Sequence, residues 1–105
     1  MKAFRLDELD AERAAHEGAY LRFLTERSMS VGLYALEPGE TDGQRPHRQD
    51  EVYVVESGRA VLTVGDESRP VSRGSVVFVP AGTPHRFHHI SESLRVLVVF
   101  SPPEA

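Results

Sequence analysis

The stretch from Glu51 to Ser101 reads EVYVVESGRAVLTVGDESRPVSRGSVVFVPAGTPHRFHHISESLRVLVVFS. Short runs of Val, Tyr, Phe and Leu alternate with Gly, Asp, Ser and Pro. β-Branched and aromatic side chains pack well on a pleated, half-buried surface, so the runs read as strands. The interruptions read as turns. The pattern predicts strands over Glu51–Glu56, Ala60–Val64, Ser75–Val79, His85–Ile90 and Leu94–Ser101, with a further one at Val71. Turns are predicted at Ser57-Gly58, Gly65-Asp66, Arg73-Gly74 and Pro80-Ala81-Gly82. Pro102-Pro103 ends the last strand, because proline cannot donate to a ladder.

Upstream, Tyr20–Leu24 and Val31–Leu36 are two more apolar runs, the second closed by Pro38-Gly39. Residues 40–46, ETDGQRP, form a polar loop. Residues 6–17, LDELDAERAAHE, keep a rough helical spacing at Leu6, Leu9 and Ala14. Asp7 is the predicted N-cap and Gly18 the stop. About eight short strands with regularly spaced turns describe an all-β sandwich or barrel, here with a short N-terminal helix. There is no internal repeat or composition shift, so residues 1–105 read as one domain. By surface scaling a chain of this size buries about 65% of its unfolded surface, enough for one core.

Composition narrows the function. Twelve Lys and Arg against sixteen Asp and Glu give a net charge of −4. Nucleic-acid binding normally shows a basic excess or stripe, so no nucleic-acid partner is expected. The absence of cysteine excludes disulfides, thiolate metal sites and thiol catalysis. The charged segment Met1–Glu12 has no apolar core of a signal peptide, and no apolar run approaches a membrane span. A cytoplasmic protein without a membrane partner is the expectation.

Of the five histidines, His16 lies in the predicted helix, as a surface group. The others fall at His47 and at His85, His88 and His89, each cluster at the start of a predicted strand. Residues of equal parity share a strand face. His47, Gln49, Glu51, Tyr53 and Val55 thus point one way, and His85, Phe87 and His89 share a face. Asp50 and His88 have the opposite parity and face outward. On a straight strand His47 and Glu51 would stand about 13 Å apart at ~3.3 Å per residue. Sharing an ion requires a bend between them, which the polar Arg48-Gln49-Asp50 stretch can supply. Two imidazoles and a carboxylate make a divalent-metal set. The competing reading is a set of capped or solvated loop side chains, and for Tyr53 and Phe87 plain core packing.

Together the two clusters resemble the cupin superfamily. That family's second motif is Gly, five residues, Pro-x-Gly, two residues, His, three residues, Asn. Gly74, Pro80, Gly82 and His85 match at every spacing, with His89 in place of Asn. The first motif ends in Glu, six residues, Gly, which Glu51 and Gly58 fit. It expects His six and four residues before the Glu: His47 holds the nearer position, Arg45 the farther. Motif 1 thus covers about residues 39–58 and motif 2 about 74–89, and the resemblance spans roughly residues 30–101. It implies a double-stranded β-helix, a jelly-roll-like barrel, with a metal in its mouth. Pro46–Tyr53 is also similar to the Pro-His-x-x-Asp-Glu-Val-Tyr core of a group of small single-domain cupins.

Carried over by position, the ligands are His47, Glu51 and His85. Arg45 departs from the pattern, since a guanidinium stays protonated and cannot ligate a cation. Either three protein ligands hold the ion, with water, Gln49 or His89 adding donors, or the pocket takes a ligand without metal. Gln49, Tyr53, Phe87 and His89 are candidate pocket residues. His89 is also a candidate group for orienting a ligand, and His89 and Tyr53 are candidates for moving a proton. Arg45 reads as a solvated loop arginine or, at the rim, as a partner for an anionic group.

The implied cofactor is one divalent transition metal: Zn, Fe, Mn or Ni. The function expected is a metal-dependent small-molecule enzyme of oxygenase or isomerase type. The alternative is a non-catalytic module that binds or senses a small ligand, with structural or no metal. A homodimer is expected, with Val96–Phe100 and Tyr20–Leu24 as candidate interface strands.

Overall fold

Two long strands organise the molecule. The structure, a computed structural model, describes residues Met1–Glu104. In chain order the elements are α1 (Leu6–Ala15), β1 (Tyr20–Thr25), β2 (Ser30–Leu36), β3 (Asp50–Val64), β4 (Glu67–Ser72), β5 (Val76–Val79) and β6 (His85–Ser101). The sheet order is β1-β2-β6-β3-β4, β5 pairs with β3, and every pairing is antiparallel. β3 opposes β6 along nearly its whole length. Its first half is flanked by β5, its second by β4. β3 thus runs through both halves of the one sheet, which curls into the double-stranded β-helix.

This merges elements that the sequence pattern separates. Ser57-Gly58 is a bend inside β3, not a turn between strands. Three successive register shifts between Val55 and Val61 take up the bend, which is how a strand turns a barrel corner without losing its partner. Gly58 has φ +95°, and a Cβ there would overlap the Ser93 carbonyl oxygen and come within 2.7 Å of the Leu94 Cα. Only glycine lets β3 and β6 cross so closely. His85–Ile90 and Leu94–Ser101 likewise join into β6. β4 is longer than the single Val71 suggests. Pro70 lies within it, tolerated because β4 is an edge strand paired only with β3.

The bulges also move the core from odd to even positions. On β3 the buried residues are Glu51, Tyr53 and Val55, then Ala60 and Leu62. On β6 they are His85 and Phe87, then Ile90, Leu94, Val96, Val98 and Phe100. The opposite face, across β5, β3 and β6, carries Val76, Phe78, Val52, Val54, Leu97 and Val99 in register. Val76 is 67% and Phe78 56% exposed.

The helix ends at Ala15, two residues before the predicted end, and Asp7 does not cap it. The N-cap is Arg5, whose Nε reaches Asp7 Oδ1 at 3.2 Å from within the first turn. Only Leu9 is buried in α1, so little apolar area docks the helix. Arg95 does that work instead, donating Nε to Asp10 Oδ1 and Nη2 to Glu37 Oε1, each at 3.0 Å. Burial alone would raise the Asp10 carboxyl, but Arg13 and Arg95 hold it below the usual carboxylate range. Among the described residues, no helix is long and apolar enough to cross a membrane.

Candidate metal centre

His47, Glu51 and His85 come together at the mouth of the barrel, one ligand atom from each within 4.8 Å of the others. Glu51 and His85 stand on β3 and β6, and both are buried, 2% and 6% exposed. His47 is not on a strand. β3 begins at Asp50, and the chain bends at Arg48-Gln49. That bend brings His47 Nε2 to 4.0 Å from Glu51 Oε1, closing the gap a straight strand would leave. Two contacts fix the bend. Gly82 N–H donates to the His47 carbonyl at 2.7 Å, tying the Pro80–Gly82 turn to the first cluster. Ala81 N–H donates to Asp50 Oδ1 at 2.9 Å.

The ring orientations suit a cation. His85 Nδ1 donates to the Thr83 carbonyl at 2.8 Å, which turns Nε2 toward Glu51 Oε1, also at 2.8 Å. A histidine whose outer nitrogen is held by a carbonyl presents its inner nitrogen as a ligand. The Nε2–Oε1 contact is not aligned as a hydrogen bond. Both atoms, and Glu51 Oε2, are buried without a hydrogen-bond partner among the described residues. Unpaired buried polar atoms cost about 1–3 kcal/mol each, and a bound cation would satisfy all three at once. Burial alone would lower the His85 imidazole, yet Glu51 beside it and the Thr83 carbonyl hold it above its usual value. The residues therefore fit a divalent metal ion.

A second ring of groups stands around these three. His47 Nδ1 lies 3.6 Å from Glu104 Oε2. Glu104 is placed by its backbone: its N–H donates to the buried Ser30 Oγ at 2.9 Å, and its carbonyl accepts from Arg22 Nη1 at 2.7 Å. Gln44 Oε1 lies 3.2 Å from His47 Nε2 and accepts from the Tyr53 hydroxyl at 3.2 Å. Gln44 Nε2 donates to Asp42 Oδ2 at 2.9 Å. Asp42 is itself buried, and also accepts from the Tyr34 hydroxyl at 2.6 Å and from Phe87 N–H at 2.8 Å. Asp42, Gln44 and Glu104 were not singled out by spacing. The first two sit in the polar 40–46 loop, where nothing in the sequence distinguishes a buried acid from a solvated one.

Several expected site residues lie elsewhere. Gln49 is turned away, its Nε2 donating to the Pro103 carbonyl at 3.4 Å. His89 is exposed, with φ +49°, and its Nδ1 meets that of His88 at 2.5 Å. The reason is the β6 bulge. Between the pairs Val61↔His88 and Arg59↔Glu92, His89, Ile90 and Ser91 face the single residue Ala60, so the parity linking His85 to His89 is broken. Phe87 is core, 1% exposed, with its ring centroid 4.9 Å from that of Tyr53. Tyr53 is fully buried, its ring centroid 6.1 Å from that of His85 and its hydroxyl on Gln44. Burial, with Glu51 nearby, pushes that phenol far above its usual value. Its hydrogen is directed at Gln44 Oε1. Arg45 is exposed.

Beside His47 opens a cavity of about 180 Å³, walled by Tyr20, Tyr34, Gln44, His47, Val98, Phe100 and Glu104. Neither Tyr53 nor Phe87 lines it. The Tyr20 hydroxyl is buried there without a partner among the described residues. Its ring lies across Gly32, where any Cβ would fall inside the ring.

The comparisons agree with this architecture. Residues 32–100 match the cupin domain family. The chain is 74% identical, over the full length of both, to an uncharacterized protein of Streptomyces coelicolor. It is similar to a crystal structure from Thermus thermophilus, with 31% identity, a TM-score of 0.82, and 98% of this chain and 99% of that one covered. An RmlC-like cupin from Methanocaldococcus jannaschii with a double-stranded β-helix fold superposes with a TM-score of 0.71, at 19% identity, over 79% of this chain and 78% of that one. With the domain match spanning both motifs and the barrel that carries them, this chain belongs to the cupin family.

Proposed function

We propose that the protein holds one divalent transition metal through His47, Glu51 and His85 and uses it to act on a small molecule seated in the adjoining cavity. The observation that carries this is the convergence of three buried ligand atoms that make no hydrogen bond among the described residues, Glu51 Oε1, Glu51 Oε2 and His85 Nε2, beside His47. The ion, when bound, supplies Lewis acidity or, as iron, dioxygen chemistry, at positions the protein leaves open.

The chain's own groups shape the ligand. At about 180 Å³ the cavity falls below the ~300–1,000 Å³ of drug-sized sites, which suits a molecule of few heavy atoms. The Tyr20 hydroxyl offers a donor to a carbonyl or hydroxyl oxygen. Phe100 and Val98 supply an apolar wall, and Glu104 accepts from a hydroxyl or amine. Tyr53, held protonated, keeps its hydrogen on Gln44.

Plasma mass spectrometry on protein purified without a histidine tag or added metal tests the centre. About one equivalent of a single transition metal is expected. No metal, even after reconstitution with Fe(II), Mn(II), Ni(II) and Zn(II), would overturn it and leave a metal-free binding module.

We also propose that the protein works as a homodimer, joined through the apolar face of Val52, Val54, Val76, Phe78, Leu97 and Val99. Strands apolar on both faces are built to be covered on both. Light scattering at micromolar concentration is expected to give twice the chain mass, and Phe78→Glu half of that. A wild-type monomer would sink the idea.

A further inference from the structure

We infer that the Gln44 amide oxygen is the fourth protein donor of the metal centre, taking the role that Arg45 cannot fill. This rests on the metal-binding reading above and adds a ligand that neither cupin motif contains.

Four observations converge on that oxygen. First, Gln44 Oε1 stands 3.2 Å from His47 Nε2, the same nitrogen that faces Glu51 Oε1 at 4.0 Å. It therefore lies at the centre and not behind it. Second, the amide cannot be turned round. Its Nε2 donates to Asp42 Oδ2, and Asp42 is buried and held by Tyr34 and Phe87. A flip would set an oxygen against a carboxylate, so the hydrogen-bond network assigns the orientation. Third, an amide oxygen has two lone pairs. Tyr53 takes one, and the other faces His47 Nε2, where an ion that displaces that ring's proton would meet it.

Fourth, the His47 ring nitrogens divide their roles. Nδ1 faces the Glu104 carboxylate at 3.6 Å. Nε2, the other ring nitrogen, is the one that faces both Gln44 Oε1 and Glu51 Oε1. Without a cation the His47 Nε2–Gln44 Oε1 contact is a hydrogen bond; a cation takes the place of that proton and draws on both atoms as donors. Arg45, the next residue, is exposed and cationic.

The resulting set is two imidazole nitrogens, one carboxylate oxygen and one amide oxygen. Oxygen donors suit harder ions, so relative to a three-imidazole set this centre favours Mn(II) and Fe(II) over Ni(II) and Cu(II).

The test uses the full chain, stripped of metal, with Co(II) as the probe. Its visible ligand-field bands report donor number and type, and competition with a chelator gives the dissociation constant. Gln44→Met keeps the length of the side chain and removes the oxygen. We expect Co(II) to bind it about tenfold or more weaker, by analogy with the ~10–100-fold cost of losing even an outer partner. The ligand-field bands should also move. Gln44→His should regain affinity, with bands shifted toward greater nitrogen ligation. Melting of the metal-free proteins separates this from a folding defect, and if Gln44→Met does not fold, the Gln44→His spectrum decides. Wild-type affinity and bands in Gln44→Met, or wild-type bands in Gln44→His, would overturn the role of Gln44 and leave the other three ligands standing. A wild-type chain that takes up no Co(II) removes the whole centre.

Discussion

Replacing His85 by alanine is expected to abolish metal binding while the barrel still folds. His85 Nε2 lies 2.8 Å from Glu51 Oε1, and its ring is oriented by the Thr83 carbonyl. Only one imidazole, His47, would remain beside Glu51 and the Gln44 oxygen, and the loss should exceed the ~10–100-fold that an outer partner costs. The contrast can be read thermally. A ligand at a hundred times its dissociation constant stabilises the native state by about 2.7 kcal/mol. In a domain of this size each kcal/mol moves Tm by roughly 4–8 °C. Wild-type protein titrated with its metal should therefore melt about 10–20 °C higher, and His85→Ala should show no shift. The variant should still melt cooperatively, because the hydrophobic core of Tyr53, Phe87, Leu94, Val96 and Val98 is left whole. Stoichiometric metal retained by His85→Ala would remove it from the ligand set.

The largest expected effect on stability is at Gly58. A side chain there meets two independent penalties. With φ at +95°, any L-residue is strained, by about 1–2 kcal/mol. Its Cβ would also overlap the Ser93 carbonyl, which is β6 backbone set between the pairs Ser57↔Arg95 and Arg59↔Glu92 and cannot move aside cheaply. Gly58→Ala is therefore expected to cost about 3 kcal/mol or more, in the range reserved for named backbone and core defects. Gly74→Ala is the control: its φ is +92°, yet nothing lies within 4 Å of its Cβ, so it bears only the conformational penalty. Denaturant melts of the two decide the matter. Equal losses would show that the crossing of β3 and β6 tolerates a methyl group and that the close approach is not what holds Gly58 in place.

The strands are legible in the sequence because apolar runs such as Val52–Val55 and Val96–Phe100 fit nothing else in so short a chain. Where they join is not. Ser57-Gly58 has the residues of a hairpin turn, and only the pairing with β6 on both sides shows that the strand continues. The same bend explains the mixed success at the site. Parity counts hold between Glu51 and Val55, with no bulge in between, and fail between His85 and His89, where one is present. His47 lies next to Glu51 because the chain leaves the strand there, which a period-two pattern cannot express. The missing imidazole at position 45 does prompt a search for a replacement donor. It points to Gln49 or His89, whereas the side chain that reaches the ligands, Gln44, comes from the polar loop before them.

Asp42 has a consequence for how an ion would arrive. Its carboxylate gathers a loop amide, a tyrosine hydroxyl and a backbone N–H of β6. The loop that carries Gln44 and His47 is thereby fastened to the barrel by contacts that involve no metal. Loading the centre then requires little ordering of the chain, so uptake and release need not wait on a folding step. Conformational entropy that a floppy loop would surrender on capture has already been surrendered in folding. The deuterium exchange of the Phe87 amide, sealed under Asp42, should accordingly be as slow in the stripped protein as in the loaded one.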